Sequence, residues 1–121
     1  MAKGLFSKIL VPDQSTLHVK VSPVQPPPPD RWTADLFLRD RSGTLLAHYD
    51  DAQLRAGVQH RLQGKNPAYV MGQLVLTFAG PSKAQVEMVV KKPDGSPHGK
   101  PYREAHSSAP ADSVLIVVFM A

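Results

Sequence analysis

The stretch SVLIVVFM, residues Ser113–Met120, decides the fold class of this chain. The apolar run after the serine puts apolar side chains on both faces of a β-strand. A strand of this kind is typical of a central position in a sheet, because at an open edge it would invite pairing with another chain. We therefore expect this stretch to be a central strand or to take part in a contact between subunits.

Alternation of apolar and polar residues, the pattern of a half-buried strand, recurs upstream of this stretch. It is present in the segments 17–21, 32–39, 69–78 and 86–90. The turn sequence DRSG at residues 40–43 joins the segment 32–39 to a return strand at 44–49, which completes a hairpin. The pattern predicts a mainly β fold of about six to eight strands, either an antiparallel β-sandwich or a partly closed barrel. The predicted core includes Leu36, Leu76, Val86 and Ile116.

Residues 51–63 fit two local structures. As a short helix, they place Leu54, Val58 and Leu62 on one face. As a strand, they place Val58, His60 and Leu62 on one side and Gln59, Arg61 and Gln63 on the other. Gly57 disfavours the helix by about 1 kcal/mol relative to alanine. We expect at most one short helix here, with the strand as the alternative.

The other segments are interpreted as parts of one domain, because a chain of 121 residues has the size of a single domain. Residues 1–11 are expected to be an arm or a first strand docked on it. Residues 22–30 include four consecutive prolines, which lack backbone donors and predict a stiff connection. Residues 93–112 are rich in turn formers and predict a long loop, interrupted at most by a short strand near Tyr102.

Composition excludes several classes of site and segment. The chain contains no cysteine, so disulfides, thiolate catalysis and cysteine-based metal sites are excluded. No run approaches about 18 apolar residues, so no transmembrane helix is predicted. The first eleven residues lack the apolar core and cleavage site of a secretory signal, and Ala2 excludes N-myristoylation. We therefore expect a protein that is cytoplasmic or exported without a cleaved signal.

Motifs for catalysis and cofactor binding are absent from the sequence. It contains neither a G-x-S-x-G nucleophile elbow nor a G-x-x-x-x-G-K-[ST] phosphate loop. The aspartates clustered in residues 30–51 are a candidate Ca²⁺ site, since Ca²⁺ prefers oxygen ligands. Interleaved arginines favour surface ion pairs there instead. We predict no catalytic residue, no metal ligand and no cofactor.

The basic residues after the segment 86–90 form the candidate ligand site. The net charge of the chain is +4, a modest basic excess that is compatible with an anionic partner. A loop that combines cations with an aromatic ring is able to hold phosphate groups and to stack a base or a sugar. The candidate ligand-binding residues are Lys91, Lys92, His98, Lys100, Tyr102 and Arg103.

These observations lead to three hypotheses about function. The first is a non-enzymatic binding or assembly module that acts through protein–protein contacts, including self-association. The second is binding of an anionic polymer, such as a nucleic acid, or of an anionic surface through the basic loop 91–106. The third is a carbohydrate-binding module. Fold class does not choose among them, because β-sandwiches host many unrelated functions.

Overall fold

The computed structural model describes residues 2–24, 31–62, 69–79, 82–107 and 111–120, which form nine strands and one short helix. The strands are β1 (Ala2–Val11), β2 (Ser15–Pro23), β3 (Trp32–Arg39), β4 (Leu45–Tyr49), β5 (Val58–Leu62), β6 (Tyr69–Phe78), β7 (Lys83–Lys91), β8 (Tyr102–Ser107) and β9 (Ala111–Met120). The helix, α1, is Asp51–Ala56. In the described part of the chain, no helix is long and apolar enough to cross a membrane.

The strands form two sheets around one apolar core. The five-stranded sheet has the order β1-β9-β6-β3-β4, and the four-stranded sheet has the order β5-β2-β7-β8. Neither sheet closes into a barrel within the described residues, so the predicted mainly β fold is confirmed as an arrangement like a β-sandwich.

The structure corrects two details of that prediction. β1 pairs with β9 in parallel, whereas the other strand pairs described here are antiparallel. β1 and β9 are the first and last strands of the chain, so no hairpin turn constrains their relative direction. The strand number is nine rather than six to eight, because residues 2–11 form a full strand and the predicted loop 93–112 contains another.

The core lies between the inward faces of the two sheets. The predicted core residues are all fully buried: Leu36, Leu76, Val86 and Ile116. Gly72 faces inward between Leu38 and Ile116, with which it is in register. A Cβ at Gly72 would lie 2.7 Å from a methyl group of Leu38, so the missing side chain allows two large neighbours to meet.

β9 confirms the prediction of a central strand, because it lies between β1 and β6. Its inward side chains, which include Val114 and Ile116, are fully buried. On the opposite side, Leu115 and Val117 are half-buried, and Phe119 is 42% exposed. The described part of the chain therefore covers only one of the two apolar faces of this strand.

Residues 51–62 combine the two structures that the sequence allowed. Asp50 caps α1 by accepting a hydrogen bond from the backbone N–H of Gln53, and the Gln53 side chain accepts one from the Asp50 N–H. The helix ends at Gly57, whose φ of 101° favours glycine. β5 follows at once and pairs with β2. The predicted helix 51–63 is therefore correct only for its first half, and residue 63 lies outside the described residues.

Two predicted connections are shorter than expected. β2 extends to Pro23, and residues 25–30 of the proline-rich connection lie outside the described residues. The loop 93–112 contains β8, at the place where a short strand was allowed near Tyr102, and β8 pairs with β7 at the edge of the four-stranded sheet. β9 begins at Ala111, so the loop proper is residues 92–101.

Candidate functional site

The outward side of the four-stranded sheet carries most of the exposed cations of its strands. Its outward cations are Lys20, Arg61, Lys83, Lys91 and Arg103. Glu87 is the one carboxylate among the outward side chains of these four strands as the structure describes them. We call this surface the cationic face. It arises from alternation, because each of these residues neighbours an inward-facing residue on its strand.

Two hollows lie on the cationic face. The first, of about 370 Å³, is bordered by the end of α1 at residues 56–57 and by residues 101–103, with Lys20 and Glu87 in its lining. The second, of about 530 Å³, is lined by Gln14, Thr16, His18, Arg61, Lys91, Lys92, Pro93 and Gly95. His18 borders both hollows, so the two share a wall.

The pKa of His18, which lines the second hollow, reflects its burial and the charge around it. Partial burial lowers the pKa of the His18 imidazole, and the nearby charge of Lys91 lowers it further. Both causes favour the neutral ring, because burial removes water from the charged form and Lys91 repels a second positive charge. The hollow is therefore a site where additional positive charge is disfavoured.

The structure brings together only part of the predicted ligand site. Lys91 and Lys92 line the second hollow, while Arg103 lies on the same face beside the first. His98 and Lys100 lie toward β1 instead. The His98 Nε2 atom is 2.9 Å from the carbonyl oxygen of Ile9, and the Lys100 carbonyl accepts a hydrogen bond of 2.6 Å from Lys8.

Tyr102 points toward the interior rather than toward the cationic face. Its ring meets the buried ring of Phe6 edge-on, with 6.4 Å between centroids. Its hydroxyl donates a hydrogen bond of 2.8 Å to Glu104 and lies 2.9 Å from Nε2 of the buried His106. The aromatic ring on which base or sugar stacking was predicted is thus occupied by contacts within the chain.

Sequence reasoning missed Thr16, His18 and Arg61. These residues are distant from the basic loop along the chain, and the structure joins them by pairing β2 with both β5 and β7. The available signal was the alternation in residues 17–21, which assigns His18 and Lys20 to the outward side of their strand.

The outward side of the five-stranded sheet is different, because much of it is apolar. Leu5 is in register with Leu115, and Val117 is in register with both Ser7 and Met71. We call the apolar outward side chains of β1, β9 and β6 the apolar face. Its most exposed members are Leu5 (61%), Ile9 (63%), Met71 (41%) and Phe119 (42%). Leu115 and Val117, which are half-buried, connect them.

The aspartates of residues 30–51 are separated by the fold. Asp35 lies 3.0 Å from His48, and Asp40 closes its own turn by accepting hydrogen bonds from Ser42 and Thr44. Asp51 accepts a hydrogen bond from Arg55 across one turn of α1. Among the residues that the structure describes, no three histidine or acidic side chains form a potential metal site. Asp30 lies outside those residues.

Comparison with known proteins gives no information about these surfaces. No protein-family model, curated protein or solved structure matches the chain.

Proposed function

We propose that this protein is a non-enzymatic binding module that assembles with a second copy of itself through the apolar face. The observation that carries the proposal is that large apolar side chains are exposed on three adjacent strands. The most exposed are Leu5 and Ile9 on β1, with exposed fractions of 61% and 63%. Soluble monomers rarely expose large contiguous apolar patches, and such patches often mark interaction sites.

The dimensions of the sheet suit an interface between proteins. The three strands of the apolar face, ten residues each, at a spacing of about 4.8 Å and about 3.3 Å per residue, give a face of roughly 480 Å². A stable interface of standard size buries about 800 Å² on each partner. The apolar face supplies more than half of that area, and side chains at its rim supply the rest.

The composition of this face favours a second copy of the chain as its binding partner. An interface with twofold symmetry brings the same patch of two molecules together, so an apolar patch is its own complement. On the neighbouring strand β3, the outward side chains are largely polar and include Thr33, Asp35 and Arg39. An apolar centre beside a polar rim is the usual anatomy of an interface.

The structure bears differently on the other two hypotheses. The anionic-ligand hypothesis is supported by the cations that line the second hollow of the cationic face. The carbohydrate hypothesis gains no support, because the ring of Tyr102 packs inward against Phe6.

Sedimentation velocity over a range of protein concentrations tests the assembly proposal. We expect the unmodified chain to be a dimer at micromolar concentration and the double variant Leu5→Glu/Met71→Glu to be a monomer, because it buries charge in the apolar face. The control is Leu45→Glu/Leu46→Glu, which places the same two charges on exposed leucines of β4, separated from β6 by β3. A monomeric parent at the highest concentration, or equal loss of the dimer in the control, would refute the proposal.

A further inference from the structure

The second hollow of the cationic face contains a row of three residues on adjacent strands. Thr16 on β2 is in register with Arg61 on β5 and with Lys91 on β7. Because neighbouring strands are about 4.8 Å apart, the two cations flank Thr16 with about 10 Å between their backbones. Their long side chains are able to converge above the threonine. Lys92 adds a third cation at the rim of the same hollow.

The lining of this hollow lacks a counter-charge. Among the described residues, no carboxylate lies in the lining. Asp94, in the adjoining turn, accepts hydrogen bonds of 2.8 and 2.6 Å from the backbone and hydroxyl of Ser96. These bonds lower the pKa of its carboxyl and the nearby charge of Lys92 lowers it further, so Lys92 has an acidic neighbour just outside the lining, whereas Arg61 and Lys91 have none within it. The contact that Arg61 makes is with the neutral amide of Gln14, at 3.4 Å. Like charges held close together without an acid between them favour an anion from solution.

We propose that this hollow is a binding site for compact, multiply charged phosphate ligands. Arg61 supplies the forked donors that match two oxygens of one phosphate, and Lys91 and Lys92 act as point charges on the others. The Thr16 hydroxyl lies between them as a neutral donor. The volume of about 530 Å³ is in the range of small-molecule sites.

The composition of the cationic face favours a small phosphate ligand over a single-stranded nucleic acid. Among the described residues, the outward side chains of its four strands include no Phe, Tyr or Trp. Base stacking on such rings is a main source of affinity for single strands. Recognition at this site therefore rests on the phosphate groups. The site is independent of the apolar face, which belongs to the other sheet.

Calorimetric titration with inorganic tripolyphosphate tests the proposal. We expect the double variant Arg61→Gln/Lys91→Gln to bind on the order of tenfold more weakly than the parent, or worse, because it loses two charge-assisted contacts. The control Lys20→Gln/Arg103→Gln removes the same charge from the same face beside the first hollow, and its affinity should stay within about twofold. All four residues are at least partly exposed, so both variants should fold, which a thermal melt verifies.

Two further measurements distinguish a specific phosphate site from a general attraction of polyanions to the face. Affinity should decrease as salt is added, since the contacts are ionic. A short DNA duplex, titrated under the same conditions, should bind no more tightly than tripolyphosphate. Absence of tripolyphosphate binding at millimolar concentration, or equal losses in the two double variants, would overturn the proposal. If the duplex bound more tightly than tripolyphosphate and both double variants lost affinity equally, the face would be a diffuse surface for polyanions. That result would also overturn the proposal.

Discussion

The outer faces of the two sheets are built by the same alternation and have opposite chemistry. Outward residues of β1, β9 and β6 are largely apolar, with Leu5 and Ile9 more than half exposed. Outward residues of β2, β5, β7 and β8 are largely polar, with cations on every strand. The inward residues of both sheets meet in one apolar core. Alternation therefore determines which residues are buried, whereas the identity of the outward residues determines what each face is able to bind.

This difference separates two physical causes of association. Association through the apolar face is favoured because it removes apolar surface from water, and this contribution depends little on salt. Binding of an anion to the cationic face is favoured by charge attraction, which salt screens over about 8–10 Å. The two faces lie on opposite sides of the sandwich, so a dimer formed through the apolar face leaves the cationic hollows accessible. Changes on one face should therefore leave the other unaffected.

The largest expected effect is the contrast between two neighbouring residues of β9. Ile116 is fully buried and Leu115 is half-buried on the apolar face. Ile116→Ala should lower the free energy of unfolding by about 2–5 kcal/mol, because it leaves a cavity in the core. Leu115→Ala should lower it by less than about 1 kcal/mol at a protein concentration where the chain is monomeric. Urea melts of both variants measure the difference.

Equal losses in these two variants would contradict the comparison of the faces. If Leu115→Ala were as costly as Ile116→Ala in the monomer, the outward side of β9 would have to be covered by part of the same chain. If Leu115→Ala were less stable than the parent only at high protein concentration, the contribution of Leu115 would instead come from the contact between copies.

The features predictable from the sequence are those that depend on local pattern. The alternation in 32–39 and the turn at 40–43 indicated the β3–β4 hairpin, and the apolar run 113–120 indicated a central strand. The parallel pairing of β1 with β9 depends on contacts between the two ends of the chain, so no local pattern reveals it. β8 was expected only as a short interruption of a loop near Tyr102, because its sequence, YREAHS, is mostly polar and lies at the edge of a sheet.

The candidate site was predictable only in part for the same reason. Lys91 and Lys92 are adjacent in sequence and line the same hollow. Thr16 and Arg61 join them only because β2 lies between β5 and β7, which is a property of the topology. Tyr102 follows the turn-rich segment and was interpreted as a loop aromatic. As the first residue of β8, however, it takes an inward position opposite Met88.

A smaller effect is expected when a carboxylate is placed between the two cations of the second hollow. Thr16→Glu puts a negative charge directly across from both Arg61 and Lys91, and each cross-strand pair contributes roughly 0.2–1 kcal/mol. The matched control is Thr77→Glu on β6 of the other sheet, where Thr33 is the partner on β3. We expect Thr16→Glu to be more stable than Thr77→Glu by about 1 kcal/mol in denaturant melts.

The same substitution should abolish binding of tripolyphosphate, because the carboxylate replaces the ligand as the counter-charge. Greater stability combined with loss of binding would support the anionic site, since a purely structural defect would lower both. If Thr16→Glu proved less stable than Thr77→Glu, the cations would be too far from residue 16 to form pairs.

The smallest expected effect is a dependence of stability on pH that arises from His18 and His60. Burial lowers the pKa of both imidazoles, and the charge of Lys91 adds to the effect at His18. In the unfolded chain, both rings titrate near the ordinary value of 6.5. As the pH falls below about 6.5, the unfolded state therefore binds more protons than the folded state. Stability should be complete above this pH and should decrease as the pH falls toward the lowered pKa values.

Guanidinium melts at pH 7.5 and 5.5 measure this loss of stability. The variants His18→Gln and His60→Gln should each lose less stability between the two pH values than the parent, because each removes one ring that takes up a proton on unfolding. Lys91→Gln should reduce only the contribution of His18, since it removes the charge that repels that imidazolium. This last variant distinguishes the cationic face from simple burial. If Lys91→Gln had the same pH dependence as the parent while His18→Gln did not, burial alone would account for His18, and the repulsion within the hollow would be too weak to attract an anion.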